Sequence, residues 1–462
     1  MNPAAIIAEY NPFHKGHELH IRRTREMGAT HIAVIMSGNF TQRGEAAIAD
    51  KWTRAEMALR GGADLIIELP VEWSVRSAQY FARGGVFLAE SLGCVNMLSF
   101  GSERGDVSAL RTAADAVDYV NRDNRAGRRL LDMYLRRGMG YAAAMQAACA
   151  KLCSEETAAV FSGPNDTLGV EYIRELRRQG SGITPLCVKR EGAAHDGRPE
   201  SGVASASYIR DGLNRRGGVI PPDDDGTLTG GTTPPLQIPS HFLPRESARL
   251  LQKAIGEGRA PASLARAERA VLAQLRRMSA EDFAKIDGGL AQRLSAAVSQ
   301  GRSVGEIISL TAAKNHTTSR VRRLILASFL GGFESPVPDP CYIRVLGMNS
   351  RGRELLSAIK NNAPSLPIVT KYAEARRLGG DVERHYLHVC RTTDLYGLTL
   401  PEIPPGEWEK RMPLVNAELA ATAPVTLESA PAVEKLSEQD NDRDDDQNVA
   451  GDGFTTQKSS EH

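Results

Sequence analysis

Four apolar runs, Ala4–Glu9, His31–Ser37, Asp64–Leu69 and Cys94–Phe100, punctuate the first hundred residues, and three amphipathic stretches, His17–Met27, Asp50–Arg60 and Ala78–Ser91, fill the intervals. This regular alternation constrains the fold more than any other feature. Each run is almost continuously apolar, without the in–out pattern of a half-solvated strand, so each predicts a strand buried on both faces. Strand and helix in strict succession predict an α/β fold, a Rossmann-like parallel sheet with helices on both sides.

The pattern continues and then changes. Val107–Leu152 reads as helical and basic, with Arg122, Arg125, Arg128, Arg129, Arg136 and Arg137. A further strand at Ile183–Val188 and a helix opening in "ASASYIRDGL" carry this first domain over residues 1–216. Residues 217–239, "GGVIPPDDDGTLTGGTTPPLQIP", have no periodicity and read as a linker or mobile loop. Residues 240–332 are Ala/Leu/Arg-rich and amphipathic, hence mostly helical, and 333–419 read as a small α/β element. Residues 420–462, containing "DNDRDDD", have the composition of a disordered acidic tail. That tail conceals a basic body. The chain's net charge is +1, but Glu428–His462 holds ten acids and three bases, so the rest carries about +8. A basic body permits contact with nucleic acid without establishing it.

No apolar run approaches the roughly 18 residues of a bilayer span. The N-terminus lacks the charged and then apolar succession of a secretory leader. A soluble, cytosolic protein is therefore expected. The six cysteines, Cys94, Cys149, Cys153, Cys187, Cys341 and Cys390, form no C-x-x-C pair, so reduced thiols are expected rather than a zinc site.

The turn after the first strand, Asn11-Pro12-Phe13-His14-Lys15-Gly16-His17, is the privileged ligand position of such a sheet. Three of the chain's ten histidines, His14, His17 and His20, fall there at three-residue intervals. The helix that follows offers unpaired N–H groups and a partial positive charge, which attract phosphate. Imidazole N–H groups at that terminus can donate to phosphate oxygens as charge builds on a leaving pyrophosphate. Gly16 lets a flat base approach the backbone, and Pro12 fixes the turn. Two other readings stay open on spacing alone. The histidines could be surface residues at a helix start, or His17 and His20, sharing a face, could join a metal, although no Cys or carboxylate partner stands at suitable spacing.

"NPFHKGH" resembles the H-x-G-H motif of the nucleotidyltransferase superfamily. Around it, "IAEYNPFHKGHELHI", "VIMSGNFTQRGEAAIADKWTRAEMAL", "GADLIIELP", "SFGSE", "SGPNDTLGVEYI", "VKREGAAHD" and "ASASYIR" occur in this order. Together they resemble the bacterial tRNA(Met) cytidine acetate ligase family, strongly over about residues 1–215 and more loosely through "AAKNHTTSRVRRLILASFLG" and "PCYIRVLGMNSRGRELL". The resemblance implies an ATP-dependent ligase. It would adenylate acetate, releasing pyrophosphate, and pass the acetyl group to N4 of the wobble cytidine of elongator tRNA(Met). Magnesium is expected to arrive with ATP, with no protein ligand for a metal identified.

The resemblance also implies site residues. The ATP segment would be Ile7, Ala8, Glu9, Tyr10, Asn11, Pro12, Phe13, His14, Lys15, Gly16, His17, Glu18, Leu19 and His20, with His14 and His17 on the phosphates as the catalytic pair. Lys15 stands where a residue such as Asn is more usual. Gly101, Asn165 and Arg190 would complete the nucleotide contacts, and Ser205, Ser207 and Arg210 a second phosphate motif. Ser37, Asn39, Gln42, Arg43, Asp50 and Lys51 are candidates for the acetate pocket or the cytidine, with Phe40 or Trp52 to close so small a pocket sterically. For tRNA phosphates, Lys314, Arg320, Arg322 and Arg323 are candidates beside the arginines of 122–137. A small-molecule adenylyltransferase of the pantetheine-phosphate or nicotinamide-mononucleotide type is the alternative enzyme. Roughly 200 ordered residues beyond the nucleotide domain are more than it would need. A catalytically silent tRNA-binding protein is the third reading, and the intact His14, Gly16 and His17 argue against it.

Overall fold

Each apolar run becomes a strand covered on both faces. The computed structural model describes residues 1–123, 125–190, 204–215, 240–313, 316–333, 337–362 and 364–417. Its first part runs β1 (Pro3–Ala8), α1 (Lys15–Glu26), β2 (His31–Ser37), a short hairpin of β3 (Phe40–Thr41) and β4 (Glu45–Ala46), α2 (Lys51–Arg60), β5 (Leu65–Leu69), α3 (Val71–Ser74), α4 (Ala78–Ser91) and β6 (Met97–Ser102). There follow α5 (Val107–Asp118), α6 (Arg125–Arg136), α7 (Tyr141–Leu152), α8 (Glu155–Ala158), α9 (Pro164–Arg178), β7 (Thr184–Lys189) and α10 (Ala206–Arg215). The expected strands and helices are present with ends shifted by a few residues. The hairpin after β2 was not expected. Its strands are two residues each, too short to leave a period in the sequence.

In one direction across the sheet the order is β5-β2-β1-β6-β7, all parallel. Successive residues feed opposite cores, as the pleat requires. Ala5, Ile7, Ala33, Ile35, Leu65 and Ile67 pack on the face covered by α4, α5 and α9. Ala4, Ile6, Ile32, Val34 and Ile66 pack on the other face, against α1, α2 and the later helix α11 (Arg245–Gly256). Strand order reverses at β1, so the carboxyl ends of β1 and β6 flank a switch-point crevice.

The C-terminal half is helical first: α12 (Glu268–Arg277), α13 (Ala280–Asp287), α14 (Ala291–Gln300), α15 (Val304–Thr311) and α16 (Thr318–Phe329). They share a core with Phe40, Ala46, Trp52, Val71 and Val75 from the first part of the chain. Then come β8 (Ile343–Met348), α17 (Ser350–Asn361), β9 (Ile368–Val369), α18 (Tyr372–Leu378), α19 (Gly380–Gly397), α20 (Trp408–Arg411) and β10 (Val415–Asn416). The small α/β element has no sheet of its own. β8 pairs antiparallel with β5 and carries β9 and β10 on its far side, so it extends the first sheet. Asn349 explains the fit. Its side chain accepts from Gly352 N to cap α17 and donates to Ala63 O (3.1 Å) beside β5. Gly352 is required there, because a Cβ would lie 2.0 Å from the Asp64 carbonyl oxygen. All described residues fall in one compact unit, Met1–Ala420. The 217–239 stretch and the acidic tail from 420 lie outside the described residues.

Candidate active site

The turn after β1 is held from three sides. Arg54, fully buried on α2, donates to Glu9 O (2.6 Å), to Ser37 O (3.2 Å) and to Ala49 O (3.0 Å), and its Nη2 also reaches Gly38 O. It thereby gathers the carboxyl ends of β1 and β2 under one guanidinium. Asn11 Oδ1 accepts from Ile48 N (2.7 Å), and Asn11 O accepts from Arg210 Nη1 (2.9 Å). Tyr10 adopts φ +46°, a left-handed conformation that costs of order 1–3 kcal/mol for a non-glycine residue. Its buried ring, edge-on to Phe13 at 4.9 Å and tilted on His17 at 4.7 Å, offsets that cost.

The two histidines form a reciprocal cap on α1. Gly16 N donates to His14 Nδ1 (3.1 Å), and His14 N donates to His17 Nδ1 (3.2 Å). An Nδ1 that accepts cannot carry the proton, so each neutral ring bears its hydrogen on Nε2. The rings stack at 3.6 Å. Burial and the nearby Arg190 and Arg210 push His14 down to about 3, and burial with His14 and Arg190 holds His17 well below its ordinary value. Both are therefore neutral donors at physiological pH.

His20, one turn on, is pushed down to about 4 by burial and Arg190. Its tautomer follows from its neighbours. Thr24 Oγ1 spends its proton on His20 O (2.9 Å), so Ser99 Oγ donates to Thr24 Oγ1 (2.7 Å) and His20 Nε2 donates to Ser99 Oγ (2.9 Å).

The second wall comes from β6, β7 and the start of α9. Gly101 faces Arg190, with room for a Cβ at ordinary contact, 3.4 Å from Arg190 Cγ. Beyond it, the Glu103 carboxylate accepts from Asn165 Nδ2 (2.6 Å), Asn165 N (3.1 Å) and Asp166 N (2.8 Å), which hold it below the usual carboxylate range. Asp166 returns the cap, accepting from Ser102 Oγ and from Glu103 N (2.9 Å).

The third wall is the hairpin. Gln42 N donates to Glu9 Oε1 (2.7 Å), Arg43 Nη1 donates to Ser207 Oγ (2.8 Å), and Glu45 lies between Arg210 (3.6 Å) and Arg322 on α16 (2.8 Å).

These walls enclose a cavity of about 260 Å³. It brings together Ile7, Ala8, Glu9, Tyr10, Asn11, His14, Gly16, His17, Leu19, His20, Gly101, Asn165, Arg190 and Ser205 from the sequence reading. The rest of the proposed nucleotide set stands apart. Lys15 and Glu18, three apart on α1, share its exposed face. Pro12 is buried in the turn, and Phe13 is fully buried in the core with Tyr10. Ser207 and Arg210 stand behind the wall as partners of Arg43 and Asn11. Ser205 lines the cavity while its Oγ accepts from Tyr208 N (3.2 Å), so it also caps α10.

Several acetate-pocket candidates are structural. Lys51 is fully buried on Glu68 and Glu409 (both 2.7 Å), and Asn39 Oδ1 accepts from Lys51 N (2.9 Å). Asp50 caps α2 and pairs with Arg259. Ser37 is buried at the end of β2, its Oγ without a partner among the described residues. Phe40 packs on Tyr396 and Trp52 on Trp408 in the core, so neither closes the cavity. Gln42 and Arg43 do reach the cavity.

Sequence reasoning missed Glu103, Phe81, Leu168, Tyr172 and Lys189. The signal for Glu103 was present in "SFGSE" and "GPND", whose carboxylate and amide meet only in three dimensions.

On α16, Arg320 is held by both oxygens of Asp287 (2.7 Å each), Arg322 by Glu45, and Arg323 donates to Gln42 O (3.3 Å). These three secure α16 to its neighbours rather than forming an open basic face. Lys314 lies outside the described residues. Arg128, Arg129, Arg136 and Arg137 are exposed on and just after α6. Among the described residues no three His, Cys, Asp or Glu side chains group as a metal site.

A parallel sheet with a neutral histidine pair at its switch point and arginines around the crevice is the arrangement of a nucleotidyltransferase. The family described as HIGH Nucleotidyl Transferase matches residues 1–409. The chain is 33% identical over 405 residues to the tRNA(Met) cytidine acetate ligase of Caldanaerobacter subterraneus subsp. tengcongensis, covering 86% of this chain and 95% of that one. It is 32% identical over 414 residues to that of Acetivibrio thermocellus, with 86% and 94% covered. The chain belongs to the tRNA(Met) cytidine acetate ligase family of HIGH nucleotidyltransferases. Its fold is similar to that of crystalline Thermotoga maritima TmcAL bound with alpha-thio ATP, with a TM-score of 0.78 and 29% identity over 90% of this chain and all of that one. The apo form of the same protein gives 0.80 at 30% identity.

Proposed function

We propose that this protein activates acetate with ATP and acetylates N4 of the wobble cytidine of elongator tRNA(Met). Its relatives carry that ligase name, and the similar solved structure holds an ATP analogue. The observation that carries the reading is the pair of Nε2–H donors fixed by the cap of His14 and His17.

The chemistry needs no protein nucleophile. An acetate oxygen attacks the α-phosphorus, and the bond to the pyrophosphate oxygen breaks. The cytidine N4 then attacks the acetyl carbonyl, AMP leaves with the bonding pair, and N4 loses a proton. The protein's task is to position the reactants and stabilise charge on the departing pyrophosphate. His14 and His17 donate to its oxygens, with Arg43 and Arg190 supplying positive charge in the cavity wall. Ser207 and Arg210 hold Arg43 and the Asn11 carbonyl in place. Gly101 and Asn165 receive the nucleoside end.

Magnesium would travel with the phosphates. The nearby carboxylates do not form a site for it, since Glu9 accepts from Gln42 N and Glu45 is shared by two arginines. The tRNA is best received by Arg129, Arg136 and Arg137, exposed on and just after α6, because the arginines of α16 are held by Asp287, Glu45 and the Gln42 carbonyl.

The test is incubation with ATP, labelled acetate and elongator tRNA(Met), followed by nucleoside mass spectrometry. Labelled N4-acetylcytidine that depends on ATP is expected. Pyrophosphate release with an acceptor other than acetate, and no labelled tRNA, would replace the ligase by a small-molecule adenylyltransferase.

A further inference from the structure

One wall of the cavity is apolar, and it stands across the sheet from the histidine pair. Ile7, Phe81, Phe100, Leu168 and Tyr172 line the cavity and belong to the core under α4 and α9, whereas His14 and His17 open α1 on the opposite face. The wall is drawn tight at two helix glycines. A Cβ on Gly85 of α4 would come 2.6 Å from Ile7 Cδ1, and one on Gly169 of α9 would come 2.8 Å from Phe100 Cε2. On α9, Leu168 and Tyr172 follow Asn165 at i+3 and i+7, so one stripe of the helix runs from the nucleoside end into the wall. The only polar atom among these side chains is Tyr172 Oη. Tyr172 is 1% exposed, and its hydroxyl has no partner among the described residues. Burial raises its pKa, with the Glu9 carboxylate at the end of β1 adding to the rise, so it stays a neutral donor. A buried hydroxyl left unpaired is costly, which calls for a ligand group that accepts from it.

We infer that this wall is the acyl subsite. It takes a short aliphatic monocarboxylate, with the alkyl end against Ile7, Phe81, Phe100 and Leu168 and one carboxylate oxygen accepting from Tyr172 Oη–H. The inference rests on the ligase reading above and names where its acid substrate is held. In-line displacement at the α-phosphorus sets the attacking oxygen opposite the leaving one. With pyrophosphate on the Nε2–H donors of the α1 side, attack comes from the α4 and α9 side, where the wall stands. The acid's other oxygen bonds to phosphorus as the bond to the pyrophosphate oxygen breaks, and pyrophosphate leaves with that electron pair. The wall suits a small acid rather than a nucleobase. A base needs partners for several polar edge groups, and the wall supplies only the Tyr172 hydroxyl. Phe81 and Leu168 set the length of chain accepted, since an apolar pocket separates substrates that differ by one methylene about 10–200-fold.

Competition between two acids on the full chain tests this. ATP, elongator tRNA(Met) and equal amounts of acetate and propionate are supplied, and nucleoside mass spectrometry reads the ratio of acetyl- to propionyl-cytidine. That ratio does not depend on how much of a variant is folded. The wild type is expected to favour acetate by about tenfold or more. Leu168→Ala shortens the wall to a Cβ and should lower the ratio by about tenfold, with the KM for ATP unchanged. Phe81→Leu, a milder change in the core, should move the ratio the same way. Tyr172→Phe should raise the KM for acetate about tenfold, the scale of one lost hydrogen bond, and leave that for ATP as it was. A ratio unmoved by both Leu168→Ala and Phe81→Leu would overturn the inference. So would a Tyr172→Phe enzyme whose KM for acetate is unaltered, or whose KM for ATP rises as much, which would give the wall to the nucleotide. A wild-type chain that acylates no cytidine with either acid would remove the ligase reading and this inference with it, whereas acetylation with a ratio insensitive to the wall would remove this inference alone.

Discussion

His14 and His17 lie ring on ring at 3.6 Å, each with Nδ1 committed to a backbone N–H and Nε2–H left as a donor. The cap of α1 and the phosphate donors are thus the same atoms' two sides. Removing a donor aimed at developing charge costs about 10²–10³ in rate. His17→Ala and His14→Ala are each expected to slow acetate-dependent pyrophosphate release by that order, with a smaller change in ATP affinity. A His17→Ala enzyme within threefold of wild type would show that the ring merely caps the helix.

The same burial sets a pH dependence of stability. His14 falls to about 3, His20 to about 4, and His17 well below the ordinary value. In the unfolded chain all three bind protons below about pH 6.5. The folded state is therefore the one that binds fewer protons, and it loses stability as pH falls from 6.5 toward the folded values. The three rings together give a slope of up to about 4 kcal/mol per pH unit near pH 5.5. Urea unfolding at pH 7.5, 6.5 and 5.5 should show a small fall over the first interval and one about three times larger over the second. Equal midpoints at pH 6.5 and 5.5 would mean that the histidines ionise freely in the fold.

Much of this architecture was readable because periodicity reports local structure. β2 is buried at every position, and its run of apolar residues announces that. The histidine turn was readable because three rare residues stand together. What escaped the sequence is what depends on distant partners. Lys51 and Asn39 look like pocket residues beside His17, but Glu409 and Thr393, more than 350 positions away, take them into the interior. Arg320 and Arg323 share a helix face that reads as basic, until Asp287 and the Gln42 carbonyl are found against it. β8 carries no mark in its own residues that it will pair with β5. Charge and period are local, whereas neutralisation and sheet order are not.

That neutralisation yields a prediction for tRNA. A guanidinium already forked onto a carboxylate has few donors left for phosphate. Arg136→Ala and Arg137→Ala, on an exposed basic stretch, are each expected to reduce the salt dependence of tRNA binding by about 1 in slope. Arg320→Ala should change that slope little. Filter or anisotropy titrations across a range of salt concentrations read both. A larger loss of slope from Arg320→Ala than from Arg136→Ala would return the RNA surface to α16.

The buried charge cluster that displaced Lys51 from the site makes the sharpest claim about the fold. Lys51 Nζ touches Glu68 and Glu409 at 2.7 Å, and Arg344 reaches Glu409 at 3.2 Å, all four being almost wholly buried. Two cations and two carboxylates balance. The group joins α2, β5, β8 and α20, and so ties the C-terminal elements to the nucleotide sheet. Burial and the neighbouring Glu409 carboxylate hold Glu68 above the usual carboxylate range, while Lys51 and Arg344 hold Glu409 below it. Lys51→Met leaves two carboxylates facing one arginine, and breaking a buried pair this way costs about 3–5 kcal/mol. Adding Glu68→Gln restores the balance of one cation and one carboxylate, so the double variant is expected to recover a substantial part of that loss. Urea unfolding of the two single variants and the double variant measures the coupling. If Lys51→Met costs less than about 1 kcal/mol, or if the two losses simply add, water already reaches the cluster and α20 is held by Trp408 packing on Trp52 instead.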